Sequence, residues 1–239
     1  MGATSALAVA TARLLAMEGA SFCLVARDAA KLEEVALDLK VRGATEVKLI
    51  VADMSSVQDA GGLLEKVRSV MAGIDLTLIA HGVLGDKAIL RQDPHVVAHT
   101  IFVNFTSIAM FLTSLANHLE ESRRGTLVVI SSVAGDRGRQ GNYVYGASKA
   151  ALDAYLSGLR ARLFPAGVQV LTIKPGFVAS PMTAHLRQNF LYSSPEQVAR
   201  GMLKAINLRR DVVYLPFFWG PIMWVIRSIP EIIFKRLKL

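Results

Sequence analysis

The chain has 239 residues, of which 52% are hydrophobic and 19% charged, with a formal charge of +8 and one cysteine. That length holds one domain with a large core and no sign of disorder, and a single cysteine excludes an internal disulfide framework. The positive charge suits an anionic partner such as a phosphorylated cofactor or an acidic lipid surface; no basic-aromatic cluster or base-reading motif points to nucleic acid.

Gly2-Ala3-Thr4-Ser5-Ala6-Leu7-Ala8 looks like a phosphate-binding turn opening an alanine-rich helix over 6–15, whose Arg13 is unlike a cleavable signal. Such a turn normally follows a strand, and only Met1 precedes it. The expectation is a sheet without its central strand, explained by a chain that begins upstream or by a truncated, nonfunctional product. Apolar runs then predict strands over 21–26, 47–51, 76–80, 126–131, 168–173 and 212–215. Between them, amphipathic patterns predict helices over 29–39, 57–71, 101–119, 147–163 and 195–206. The last opens on a capping box, with Ser194 as N-cap, Pro195 in the first turn and Gln197 three residues on. This alternation predicts one α/β domain over 1–239 with a doubly wound parallel sheet, its first strand cut short. Cys23, inside an apolar run, reads as a small core residue or a reactive thiol, and its solitude favours a reducing, cytoplasmic setting.

Tyr145 and Lys149 stand four apart, so on one helix they share a face. An ammonium there lowers the phenol's pKa and makes it usable as a general acid or base. Ser132 lies thirteen positions earlier, just past the strand over 126–131, at the sheet edge where ligands bind in open α/β folds. A Tyr-x-x-x-Lys alone is a frequent chance pattern; its flanks carry the weight. Ile130-Ser131-Ser132-Val133-Ala134-Gly135, then Tyr145-Gly146-Ala147-Ser148-Lys149-Ala150-Ala151-Leu152, resembles the short-chain dehydrogenase/reductase family block almost residue for residue.

The resemblance extends over nearly the whole chain and implies the remaining roles. Asp53, followed by Met54, corresponds to the adenine-contacting aspartate, and Ala80-His81-Gly82 stands where the family has Asn-Ala-Gly. Asn104 matches the asparagine that holds a proton-relay water beside the lysine. Pro175-Gly176-Phe177-Val178-Ala179-Ser180 matches the segment that holds the nicotinamide carboxamide. Gly2, Thr4, Ser5 and Leu7 fall in the cofactor turn, though Ala6 and Ala8 replace two of its glycines. His81 is either a spacer lining the cleft or a ligand or acid. Ala26 leaves the ribose-binding acid's place empty and Arg27 offers a fork to a 2′-phosphate, so the implied cofactor is NADPH rather than NADH; Arg27 could instead pair with Asp28. The resemblance calls for no metal.

The implied chemistry is carbonyl reduction, with Tyr145 donating the proton, Ser132 binding the oxygen, Lys149 holding the ribose and Asn104 completing the relay. Residues 212–226 carry no charge but are broken by Pro216, Gly220 and Pro221, too short for a spanning helix. Arg227, Lys235, Arg236 and Lys238 then interleave with Ile229, Ile232, Ile233, Phe234 and Leu237. The stretch 212–239 is thus a tail on the sheet's edge, a subunit interface in a homo-oligomer, or a dock to the inner face of an anionic membrane forming the mouth of a lipid-accepting cleft. The stretches 82–86, 182–186 and 227–237 resemble the decaprenylphosphoryl-2-keto-pentose reductase branch, which implies a lipid-linked keto sugar as substrate. A cofactor-binding or membrane-associated scaffold without turnover is the competing reading, motivated by the substituted glycines and the missing strand.

Overall fold

The computed structural model describes residues 1–56, 59–184 and 189–237. The turn at Gly2 leads into α1 (Ala6–Ala16), followed by β1 (Ser21–Ala26), α2 (Ala29–Val41), β2 (Glu46–Val51), α3 (Ala60–Val70) and β3 (Leu76–Ile79). The chain continues through α4 (Lys87–Leu90), α5 (Pro94–Ile101), α6 (Ser107–Ser122), β4 (Thr126–Ile130), α7 (Tyr143–Leu163) and β5 (Gln169–Pro175). It ends with β6 (Phe177–Val178), β7 (Tyr192–Ser193), α8 (Pro195–Asn207), β8 (Val212–Leu215), α9 (Trp219–Ser228) and α10 (Glu231–Phe234).

All strand pairs are parallel. β1 pairs with β2, and β3-β4-β5-β8 form a second set, with β6 and β7 a short separate pair. Between β1 and β3 no strand intervenes among the described residues, as the sequence leads one to expect; Met1 to Ala3 bridge the interval. The Met1 amino group donates to the Leu78 carbonyl (2.9 Å), Ala80 N–H to Met1 O (3.0 Å) and Ala3 N–H to Val25 O (3.1 Å). The winding reverses here, which makes the carboxyl ends of β1, β3 and β4 the place for a ligand.

Helices cover both faces, which is why the inner strands β3 and β4 are largely apolar, whereas the edge strand β2 carries Glu46 and Lys48. On one face Leu127 and Val129 of β4 meet Leu63 of α3, Leu112 and Leu115 of α6 and Leu156 of α7. On the other, Val128, Leu171 and Ile173 meet Met202 of α8, and Leu24 and Ala26 meet Leu32 and Leu39 of α2.

The structure refines three sequence expectations. The helix expected over 101–119 is present but starts earlier, at Pro94, and α5 and α6 run on through a π turn at Phe102–Thr106. That turn buries Asn104, and widened turns of this kind are frequent at functional sites. The helix that carries Tyr145 and Lys149 begins at Tyr143 rather than 147, because Gly146 lets its first turn lie against the loop after β4: a Cβ there would stand 2.8 Å from Ala134 O. Of the alternatives for 212–239, packing on the sheet's edge is what its described part does: β8 is the edge strand, and Trp219, Met223 and Phe234 are buried. The start of the helix expected over 57–71 lies partly outside the described residues, as do His185, Leu186 and Lys238.

Candidate active site

Ser132 caps a 3-10 turn, Val133–Gly135, its hydroxyl accepting from Ala134 N–H at 3.1 Å. The turn lies flat on α7: a Cβ on Gly135 would stand 2.9 Å from the Lys149 carbonyl carbon. Contact this close between turn and helix backbones fixes Ser132 relative to Tyr145. Val144, Ser148, Lys149, Leu152, Leu156 and Leu163 share the buried side of α7, the helical spacing that drives its docking.

Lys149 is almost fully buried and donates from Nζ to Ile130 O at 3.0 Å. Its Nζ lies 5.8 Å from the centre of the Tyr145 ring. Burial pulls the lysine's pKa down to about 8, with the Asp153 charge opposing. The Tyr145 phenol is pushed up by burial, while a hydrogen bond with Ser132 pulls the other way and the Asp153 charge adds to the rise. The downward pull on this phenol thus comes from Ser132 rather than from the lysine that the sequence pointed to, and desolvation exceeds it.

Asn104 is buried in the π turn, with Nδ2 donating to Val83 O (2.8 Å) and Ser148 Oγ (3.1 Å), while Oδ1 accepts from Val83 N–H (2.7 Å). Its carboxamide thus ties the loop after β3 to α7. Gly82 runs past this tie; a Cβ on it would lie 3.1 Å from Asn104 Oδ1 and 3.6 Å from Lys149 Nζ. His81 has Nε2 3.4 Å from Ser107 Oγ and leaves Nδ1 buried without a partner. Burial above all, with the Lys149 charge adding to it, pushes its pKa down to about 3. A neutral ring suits the spacer role and argues against an acid.

The nucleotide end is more open. Gly2 has φ +69°, and a Cβ there would sit 2.6 Å from His81 N, so glycine is required for the turn to reach Ala80-His81. Thr4 follows in the turn, and Ser5 caps α1 by accepting from Ala8 N–H at 3.3 Å. Ala6, Leu7 and Ala8 already have helical backbone, where alanine replaces glycine without strain. Arg27 is exposed beyond β1, and Asp28 pairs with Lys31 at 3.5 Å instead. Asp53, beside buried Met54, accepts from Ser55 N–H at 2.8 Å, and this bond together with the Arg27 and His99 charges lowers its carboxyl pKa. Cys23 is half-buried against the core, and burial pushes its thiol up, which suits a packing role over a reactive one.

Pro175 and Gly176 leave β5 beside β8, Gly176 N–H bonding Leu215 O at 3.0 Å. Val178 O and Ser180 N–H are both engaged by the Thr183 hydroxyl. The sequence reading missed Trp219, whose indole lies directly on Gly176 where any Cβ would overlap it. No local pattern announces such a contact, because it joins residues more than forty positions apart.

The chain matches the family model for short chain dehydrogenases over residues 1–190. It is 36% identical over 239 residues to an uncharacterized oxidoreductase of Mycobacterium tuberculosis, covering 99% of this chain and 94% of that one. An uncharacterized oxidoreductase of Streptomyces coelicolor is 34% identical over 238 residues, covering 99% and 94%. Among solved structures, a short-chain dehydrogenase from Sphingobium yanoikuyae in complex with NADPH superposes with a TM-score of 0.81 at 22% identity, covering 96% of this chain and 94% of that one. A bulky-bulky ketone specific alcohol dehydrogenase from Comamonas testosteroni also gives 0.81, at 21% identity, with 96% and 93% covered. With the family model over most of its length and relatives above 30% identity end to end, the chain belongs to the short chain dehydrogenase family of oxidoreductases.

Proposed function

We propose that the protein is an NADPH-dependent reductase of a carbonyl, acting through Ser132, Tyr145, Lys149 and Asn104. The observation that carries the reading is Tyr145 beside a buried Lys149, whose Nζ lies 5.8 Å from the phenol ring and bonds Ile130 O, with the Ser132 turn packed against the same helix at the sheet's ligand edge. The residues present fit the cofactor: the first turn of α1 faces the switch point with free N–H groups, Gly2 and Gly82 allow close approach, and Arg27 is free for a 2′-phosphate. Asp53, Met54, Ala80, Pro175, Gly176, Val178 and Ser180 would complete the cradle.

When bound, the dihydronicotinamide supplies the hydride. Tyr145 passes its hydroxyl proton to the carbonyl oxygen as charge develops there, and Ser132 holds that oxygen by a second hydrogen bond. Lys149 binds the ribose hydroxyls and stabilises the tyrosinate left behind. Asn104 keeps the Val83 loop and Ser148 in register with α7, where it would complete a proton relay from Lys149. A neutral Tyr145 at physiological pH, held so by burial, suits the reducing direction.

For the substrate, the C-terminal segment supports a lipid-linked carbonyl, such as a polyprenyl-phosphate keto sugar, taken at a membrane surface. Beyond the buried Trp219 and Met223, α9 exposes Trp224 (72%) and Val225, and α10 exposes Ile232 (64%) and Ile233. Arg227, Lys235 and Arg236 stand exposed among them. Apolar side chains ringed by cations fit an anionic bilayer. A cavity of about 380 Å³ beside the carboxyl end of β8, lined by Phe190, Leu215, Phe217 and Phe218, suits an acyl or prenyl chain. The test is NADPH oxidation against a ketone panel and a polyprenyl-phosphate keto sugar. Turnover of the lipid-linked sugar above the best small ketone is expected; oxidation of neither defeats the reductase reading, and preference for a small ketone defeats the lipid one.

A further inference from the structure

Under the Ser132 turn lies a buried charge cluster for which the mechanism has no use. Lys174, on β5 just before Pro175, holds Nζ 2.5 Å from Asp136 Oδ1 and 2.8 Å from Asp153 Oδ2. Tyr214 of β8 donates to Asp136 Oδ2 at 2.7 Å. The three charged side chains are 12%, 2% and 17% exposed, so water screens them little. Asp136 closes the turn that Ser132 opens, and Asp153 lies one helical turn beyond Lys149 on α7. One ammonium therefore joins the serine turn, the catalytic helix and the strand that leads to Gly176. Two carboxylates face the one ammonium, and the Arg139 and Arg160 guanidinium groups act from farther off on Asp136 and Asp153.

We propose that Lys174 and Asp153 are positioning residues: the Asp136–Lys174–Asp153 bridge locks the Ser132 turn against α7, and the Asp153 carboxylate keeps Lys149 an ammonium. This rests on the roles assigned above to Ser132, Tyr145 and Lys149. The surroundings of Lys149 support it. Tyr145 and Asp153 flank it on its own helix, β4 offers the neutral Ile130 carbonyl, and the π turn offers the neutral Asn104 amide. From beyond β3 comes His81, held neutral by burial. Lys174 and Asp136 largely offset each other. Asp153 is thus the charge that opposes desolvation of Lys149. Its own oxygens are buried with no hydrogen bond of good geometry besides the ion pair, so it is held by charge rather than by a satisfied network.

The test compares Asp153→Asn, Lys174→Met and Lys174→Arg by NMR titration of lysine ¹³Cε signals, with Lys149→Met identifying the Lys149 signal, and by the pH profile of NADPH-dependent reduction. Asp153→Asn is expected to move the Lys149 titration down by about one unit, as loss of a charge one helical turn away should. The alkaline limb of kcat/KM should follow, because both the lysine and the phenol lose their protons earlier. Lys174→Met is expected to lower kcat about 10²-fold with KM little changed, the size of effect seen when a catalytic group is misplaced by about an ångström. Lys174→Arg keeps the charge and should recover most of that rate. A lower melting temperature with an unmoved titration and limb makes the cluster structural only and overturns the proposal. Tyr145→Phe run alongside separates the two claims: full turnover in that variant removes the catalytic assignment, whereas the titration still decides whether Asp153 acts on Lys149.

Discussion

The two walls of the cleft are held in opposite ways. The wall proposed for catalysis, from β4 through the Ser132 turn to α7, holds Lys149, Ser132 and Asn104 by bonds to Ile130 O, Ala134 N–H, Ser148 and Val83. The nucleotide wall, from Gly2 through Arg27 to Asp53, offers exposed charge and free helix N–H groups with little fixing them. Catalysis tolerates little displacement of a proton donor, whereas a cofactor with two phosphates and a 2′-phosphate can settle into a softer site. Perturbing the first wall should therefore lose rate, and perturbing the second should lose affinity.

The sharpest break is Tyr145→Phe. It removes one oxygen and keeps the ring, so folding and NADPH affinity should hold while turnover falls about 10²–10⁴-fold. Retention of wild-type rates would move the scaffold reading to the front. Next comes Gly146→Ala, whose new methyl would press on Ala134 O at 2.8 Å. Moving turn and helix apart should destabilise the protein by about 1–3 kcal/mol, seen in denaturant unfolding, and depress kcat beyond what the lost fraction of folded protein explains. An unchanged midpoint would show that the turn is not clamped.

How far the sequence disclosed these walls follows the same division. Tyr145, Lys149 and Ser132 were legible because one helix period and one strand end place them, and local spacing suffices. The strands over 21–26 and 212–215 were legible to the residue, since each is an unbroken apolar run, although β8 at the sheet's edge is only half-buried. The π turn at Asn104 was not, because a single extra residue per turn leaves no compositional mark. Nor were Trp219 on Gly176, the Lys174 bridge, or Arg137, which donates to the Ile226 and Ile229 carbonyls, pairs with Glu231 and stacks on Phe234 at 3.7 Å. Each is a contact between distant segments, invisible until the sheet brings them together. The same holds for 212–239, where composition identified an apolar and basic stretch but could not separate its buried from its exposed half.

On the softer wall, Arg27→Ala should weaken NADPH binding about tenfold or more while leaving NADH binding nearly unchanged, since a charge-assisted contact contributes roughly 1.5–3 kcal/mol. Equal losses for both cofactors, measured by fluorescence titration, would take Arg27 out of the phosphate site and leave Asp53 as its electrostatic partner.

The smallest effect is expected farthest from both walls. Lys235→Gln with Arg236→Gln removes two exposed cations from the rim of Trp224, Ile232 and Ile233 without touching the buried Phe234 or Met223. Each cation near an anionic surface contributes about 1 kcal/mol, so partitioning onto phosphatidylserine-containing vesicles should fall by roughly tenfold or more for the pair, and by less at high salt. Turnover of a soluble ketone should be unchanged, because Arg137 anchors this segment through backbone carbonyls that the substitutions leave in place. Turnover of a lipid-linked carbonyl presented in vesicles should fall in proportion to the lost binding. Flotation that is insensitive to the substitution, or that is equally strong on neutral vesicles, would mean that the apolar face serves a subunit contact rather than a bilayer. The dependence of sedimentation on protein concentration would then reveal that contact directly.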